Sequence, residues 1–226
     1  MDHPHKKIII AIDGPAASGK NTLARAIAKH YRLDYLDTGK LYRALAYLIL
    51  QQTPTQFAIN SPAHQNIISK LAPQLLDPTL LSKLELTYDE TAQEASKLAS
   101  LDYVRQALLK TQQFFAKNPN SRHGAVLDGR DIGTVVCPDA SVKIFVDANI
   151  KIRAQRRFKE LTQLNQNVSY DTILEQMKTR DLRDRTRAIA PLKAAQDAYI
   201  IDSSNLDAKA LYHKACSFID QKLGAV

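Results

Sequence analysis

Ile8–Ile12 is an unbroken apolar run, rich in β-branched residues, that stops at Asp13. Such a run predicts a short strand buried on both faces, as in a parallel sheet. The period then changes. Over Thr22–Tyr31, Leu23, Ala26 and Ile27 fall on one side and Arg25 and Lys29 off it, which predicts a helix. "LDTGKLYRALAYLILQQ" predicts a turn at Thr38-Gly39 and a strongly apolar helix to about Gln52. Thr53-Pro54 and Ser61-Pro62 predict a loop over 53–62. From Ala63 to Leu81 a helical pattern is broken at Pro73 and Pro78, and "LELTY" at 84–88 alternates like a short strand. Thr91–Lys117 predicts helix with a break near Ser100–Asp102. Further strands are predicted at Ala125–Leu127, at Val142–Val146 and within "AYIIDSS" (198–204), with helices at about 149–163 and 171–187. A closing helix is predicted over Asp207–Leu223, with Ala208, Leu211, Ala215, Phe218 and Leu223 inward. Alternating strands and helices place the chain in the α/β class. The long helical stretches between strands predict insertions at the sheet's edge rather than separate domains.

Composition adds limits. With 226 residues, 45% of them apolar, the chain can build one sizeable core, which excludes global disorder. Its apolar runs are too short for a signal-peptide core or a membrane span, so a cytoplasmic protein with no membrane partner is the expectation. Cys137 and Cys216 fit no metal spacing and are expected as buried thiols rather than a disulfide. The net charge is +8, and residues 151–187 hold ten Lys and Arg against five Asp and Glu, so +5 of it falls there. That segment reads as a solvated basic face or as a phosphate clamp, and charge alone does not choose.

The candidate chemistry begins at Gly14-Pro15-Ala16-Ala17-Ser18-Gly19-Lys20, a glycine-bounded string after a predicted strand and at the start of a predicted helix. In that context backbone N–H groups and the helix N-terminus cradle phosphates, and Lys20 reaches the β- and γ-phosphates. The usual Ser or Thr after the lysine, whose hydroxyl meets Mg²⁺, is replaced by Asn21, and Thr22 supplies a hydroxyl one place later. The stretch resembles the loop of nucleoside monophosphate kinases, in which a small residue and then Thr commonly follow Gly-Lys. The resemblance implies ATP as donor and a Mg²⁺ held mainly by nucleotide phosphates and waters. Asn21 is bulkier than the glycine often found there.

Five motifs extend the likeness: "AIDGPAASGK", "LDTGKLYRA", "DGRDIGTVV" with "PDA" and "KIFVDA", the arginine-rich "RDLRDRTRAIAPL", and "AYIIDS". In this order they resemble bacterial cytidylate kinases from about Ile8 to Ser204. The resemblance implies a three-layer P-loop kinase fold, a parallel five-stranded sheet flanked by helices. Its core would span about 1–37, 118–150 and 188–226, with a monophosphate-binding insertion at about 38–117 and a lid at about 151–187. The family often carries a small antiparallel sheet in that insertion. Only "LELTY" looks like a strand between Gln65 and Tyr88, so the insert is expected to be shortened or rebuilt as helix.

Arg180, Arg183, Asp184 and Arg187 recur at helical spacing and should share one face, which suits a polyphosphate and a sugar hydroxyl. By resemblance Arg180, Arg187 and Arg130 hold the acceptor phosphate and, with Lys20, carry catalysis. Asp184 would hold the ribose or deoxyribose, and Thr38 and Arg43 would belong to the acceptor site. Asp131 resembles the aspartate that reads cytosine N4, with Ser96 and Arg105 completing the pocket; a salt bridge to Arg130 is its alternative use. Asp128, and Thr22 with it, would meet Mg²⁺ through water rather than directly. Arg156 is expected near ATP, although an outward basic residue on a lid helix is the competing reading.

The function expected is ATP-dependent phosphorylation of CMP and dCMP by a monomer. The attacking phosphate oxygen is already an anion, so no general base is required. A phosphate-loop kinase for another acceptor, such as UMP, shikimate or a sugar acid, is a second reading, and a basic nucleic-acid-binding protein a third. The chain has no Trp and lacks the aromatic–basic interleaving of stacking platforms, so no nucleic-acid partner is expected.

Overall fold

A computed structural model describes residues 7–52, 62–83 and 89–224. The expected strand "LELTY" and nearly all of the loop expected over 53–62 lie outside the described residues. In chain order the elements are β1 (Ile8–Asp13), α1 (Lys20–Tyr31), β2 (Asp34–Asp37), α2 (Thr38–Gln52), α3 (Pro62–Leu71), a 3₁₀ turn (Ala72–Leu76), α4 (Pro78–Lys83), α5 (Asp89–Leu98) and α6 (Asp102–Lys117). They continue with β3 (Gly124–Gly129), a single π turn (Ile132–Val136), β4 (Val142–Asp147), α7 (Ile150–Gln163), α8 (Tyr170–Thr186), β5 (Tyr199–Asp202) and α9 (Ala208–Leu223).

The five strands form one sheet in the order β2-β3-β1-β4-β5, flanked by helices. β1 runs parallel to β3, with Ile12 opposite Asp128, and parallel to β4, with Asp13 opposite Phe145. β4 and β5 are also parallel. β1 thus lies at the centre, which explains its unbroken apolar sequence. Ile10 and Ile12 pack with Leu23 and Ile27 of α1 and with Leu211, Ala215 and Ile219 of α9.

Several expectations change in detail. β2 was not predicted: "DYLD" holds one aliphatic residue and is too short to show a period. No separate turn precedes α2, because Thr38-Gly39 is already its first turn. Pro73 lies in the 3₁₀ turn, and Pro78 restarts α4 after Asp77, whose Oδ1 accepts from the Thr79 amide at 2.8 Å. Ala208 is exposed, because α9 faces the core with Leu211, Ala215, Cys216 and Ile219. Both cysteines are buried free thiols.

The chain divides into two compact units, Met1–Leu36 with Pro119–Val226, and Asp37–Asn118. The first carries most of the sheet, the phosphate-loop sequence and α7–α9. The second is helical over its described residues, with Leu41, Leu45, Ile68, Leu75 and Leu108 fully buried. Residues 65–83, where the resemblance raised the question of an inserted sheet, are helix and 3₁₀ turn, with a short break at Asp77.

Candidate active site

The loop after β1 turns tightly against β4. A Cβ at Gly14 would lie 2.0 Å from the Val146 carbonyl oxygen, so no side chain fits there. Ala17 and Gly19 follow with φ of 57° and 92°. A left-handed alanine costs about 1 kcal/mol. Packing offsets it, since Ala16 and Ala17 lie against the apolar cluster of Ala154, Leu161, Ile173 and Met177 on α7 and α8. No side chain caps the N-terminus of α1, which leaves its first amides for an anion. Lys20 is the first residue of that helix, and its Nζ donates to the Pro15 carbonyl at 3.1 Å, back across the loop. Ser18 is fully buried, and its carbonyl accepts from Ser203 Oγ at 2.8 Å.

Two arginines from α7 brace this loop. Arg153 is buried and donates from Nε to the Ala148 carbonyl at 2.8 Å and from Nη1 to the Ala16 carbonyl at 3.2 Å. Its Nη2 pairs with Asp181 of α8 at 2.5 Å. In the sequence Arg153 is one of the ten basic residues of 151–187, and a partner 137 positions away leaves no local signal. Arg156 donates to Ser203 Oγ at 3.1 Å, to the Ser203 carbonyl at 2.6 Å and to the Leu206 carbonyl at 3.4 Å. It therefore reaches the phosphate loop through Ser203.

Arginines and aspartates cluster at the C-terminal end of β3. Arg130 Nε pairs with Asp184 Oδ2 at 3.3 Å, and Arg180 Nε lies 3.9 Å from the same oxygen. Arg187 Nη2 lies 3.7 Å from Asp131 Oδ1. Arg130, the alternative partner of Asp131, pairs through Nε with Asp184. Arg180 and Asp184 continue the buried row of Ile173 and Met177, but α8 ends at Thr186. Arg187 caps α8, its amide donating to the Arg183 carbonyl at 3.1 Å while a ψ of 140° turns the chain away after it, and its Nε donates to the Ala190 carbonyl at 2.7 Å. Three guanidiniums against two carboxylates leave a local positive excess, which suits an incoming phosphate.

Asp13 holds this cluster to the sheet, a role the sequence did not reveal. Its Oδ1 and Oδ2 accept from the amides of Ile132 and Gly133, each at 2.8 Å. These residues open the π turn directly after Arg130 and Asp131. Burial pushes the Asp13 carboxyl up to about 7 from its ordinary 3.8, while the two amides pull it down. The folded chain therefore keeps a proton that the unfolded chain releases near pH 4. The stability due to this group is full below about pH 4 and falls as pH rises towards 7. Asp13→Asn should flatten the curve of Tm against pH over that window. Parallel curves for the two proteins would show that Asp13 stays ionised throughout.

Asp128 of β3 is nearly fully buried, and its Oδ1 accepts from Tyr35 Oη at 3.0 Å. Asn21 Nδ2 donates to the same Tyr35 oxygen at 2.8 Å. Thr22 is exposed on α1. Among the described residues no group of three or more His, Cys, Asp or Glu could hold a metal ion. A buried carboxylate already bonded to a phenol fits a metal carried by nucleotide phosphates and met through water.

In the second unit, Asp37 Oδ1 accepts from the Lys40 amide at 2.9 Å, and its Oδ2 pairs with Arg43 at 3.0 Å. Thr38, Ser96 and Arg105 are buried. Arg105 donates to the Ala99 carbonyl at 3.2 Å and lies 6.0 Å from the Tyr42 ring centre.

A glycine-bounded loop at the C-terminal end of the central strand, a lysine opening the following helix and an arginine cluster in the same unit define a P-loop kinase. Residues 10–221 match the family model described as cytidylate kinase. A cytidylate kinase from Paramagnetospirillum magneticum is 49% identical over 214 residues, 95% of this chain and 98% of that protein. One from Bartonella henselae is 47% identical over 216 residues, 95% of each chain. The solved structure of an uncharacterized protein from Eubacterium ventriosum aligns at a TM-score of 0.50 with 15% identity, covering 95% of this chain and 99% of that one. The chain belongs to the cytidylate kinase family.

Proposed function

We propose that the chain transfers the γ-phosphoryl group of ATP to CMP and dCMP by in-line displacement. An oxygen of the acceptor phosphate forms a bond to the γ-phosphorus as the bond to ADP breaks. Backbone amides of Gly14 and of Ala16–Thr22 bind the donor's phosphates, with Pro15 shaping the loop, and Lys20 neutralises charge on the β- and γ-phosphates. Mg²⁺, when bound, supplies further neutralisation of the triphosphate, with Asp128 orienting its waters and Thr22 a second candidate for such a contact. Arg130, Arg180 and Arg187 receive the acceptor phosphate, and Asp184 the sugar. Asp131 is assigned to the cytosine amino group. Thr38, Arg43, Ser96 and Arg105 of the second unit are assigned to the acceptor as well. Arg156 supports the donor side by holding Ser203 against the phosphate loop. The reading includes a cytoplasmic monomer; among the described residues no helix is long and apolar enough to cross a membrane.

The observation that carries this reading is the cluster of three arginines and two aspartates, hung on Asp13 where β1 passes into the phosphate loop. The nucleic-acid reading is disfavoured because Arg153, Arg156, Arg185 and Arg187 have partners within the chain rather than forming a stripe of unengaged charge. Coupled ADP release with Mg-ATP and each of CMP, dCMP, UMP and AMP tests the proposal. Turnover with CMP and dCMP well above that with UMP and AMP supports it. Equal rates, or none with CMP, refute it.

A further inference from the structure

We propose that Asn21 and Tyr35 are positioning residues that fix the Asp128 carboxylate towards the metal carried by the donor. Asn21 thus does by relay what a hydroxyl at that position does by contact. The proposal rests on the reading that Asp128 faces the waters of Mg²⁺.

The argument starts from the polarity of the chain of bonds. Arg25 Nε donates to Asn21 Oδ1 at 3.2 Å, so the carbonyl end of the amide is engaged by a cation on the same helix. That turns the amine end towards Tyr35, where Nδ2 donates to the phenol oxygen at 2.8 Å. A phenol has one proton and can accept while it donates. Its proton goes to Asp128 Oδ1 at 3.0 Å. Every link points the same way, from the exposed Arg25 cation through half-buried Asn21 to the buried Asp128 anion, and such chains reinforce one another. The Arg25 guanidinium also lies 5.4 Å from the centre of the Tyr35 ring and so helps hold that ring in place.

The relay joins three elements: α1 directly behind the phosphate-loop lysine, the edge strand β2 and the buried strand β3. Asp128 pairs in register with Ile12, one residue before Asp13, so its carboxylate is fixed close to where the loop begins. Side-chain length explains the residue at position 21. Glycine has nothing to offer Tyr35, and a Ser or Thr hydroxyl falls short of the reach of an amide. The departure from the usual loop pattern and the partnered phenol therefore form one device.

Calorimetric titration of ATP with and without Mg²⁺ tests this, because it reads binding rather than turnover. Wild type, Asp128→Asn, Tyr35→Phe and Asn21→Ala are compared, with circular dichroism melts to verify folding. The quantity read is the ratio of the ATP Kd without Mg²⁺ to that with it. Tyr35→Phe should lower this ratio roughly 5- to 10-fold, the net worth of one ordinary hydrogen bond, while metal-free affinity stays within about twofold. Asn21→Ala should lower it in the same direction by less, and it keeps the test open if Tyr35→Phe folds poorly. If Asp128→Asn lowers the ratio and neither relay variant does, the relay is overturned while the assignment of Asp128 stands. A ratio unchanged in Asp128→Asn overturns that assignment and the relay with it.

Discussion

Lys20→Ala is expected to lower kcat for phosphoryl transfer by roughly 10³-fold, the scale seen when one group that stabilises transition-state charge is removed. The reaction needs no proton transfer to start, so positioning and charge neutralisation carry most of the rate. Lys20 is the only cation within the loop sequence itself, and its place at the head of α1 is fixed by the backbone rather than by its own side chain. Substitution removes the bond from Nζ to the Pro15 carbonyl, a modest loss beside the buried apolar contacts of Leu23 and Ile27 on the same helix. Urea unfolding should therefore move little while single-turnover rates collapse. A folded variant with near-normal turnover would refute the phosphate-loop assignment.

Asp131→Asn is expected to reduce the preference for CMP over UMP by roughly 10- to 100-fold, the range for a buried polar group left without its partner. Cytosine offers an amino donor where uracil offers an acceptor. A carboxylate satisfies the first and is left facing the second. An asparagine can turn either end towards the base and so blurs the difference. The same substitution neutralises the partner 3.7 Å from Arg187, so the KM for both acceptors should rise through a looser phosphate contact. The diagnostic quantity is thus the ratio of kcat/KM for CMP and UMP, not either value alone. An unchanged ratio would mean that another residue reads the base.

How far the sequence alone reaches depends on how local the cause is. β1 was legible because burial on both faces writes an unbroken apolar run, and β4 because its apolar run is interrupted only by Lys143. The helices on either side of Ser100–Asp102, and the interruptions at Pro73 and Pro78, followed from local backbone rules. β2 was not legible, since "DYLD" belongs to an edge strand whose pairing, rather than its composition, makes it a strand. The residues of the site are a similar case. Motifs named Arg130, Asp131, Asp184 and Arg187, but helical spacing could not show that Arg187, at the C-cap of α8, donates onward to the Ala190 carbonyl. Nor could it pair Arg130 with Asp184, 54 positions later, or Asp13 with the amides of Ile132 and Gly133. These are consequences of strand order. Asn21 stood out as an anomaly in the string, and its partner on β2 was hidden because β2 itself was hidden.

The strands share a signature whose effect reaches beyond any one of them. Asp13, Asp37, Asp147 and Asp202 close β1, β2, β4 and β5, and Asp128 stands one residue before the end of β3. Carboxyl groups at strand ends would, if ionised and bare, be a hostile doorstep for polyphosphates. Instead each has a donor of its own: the amides of the π turn, the Lys40 amide and Arg43, the phenol of Tyr35, Arg185, and Ser204. These strand ends act as sockets that anchor loops and cations, so each carboxyl group is turned to a structural bond rather than left bare towards a visiting nucleotide.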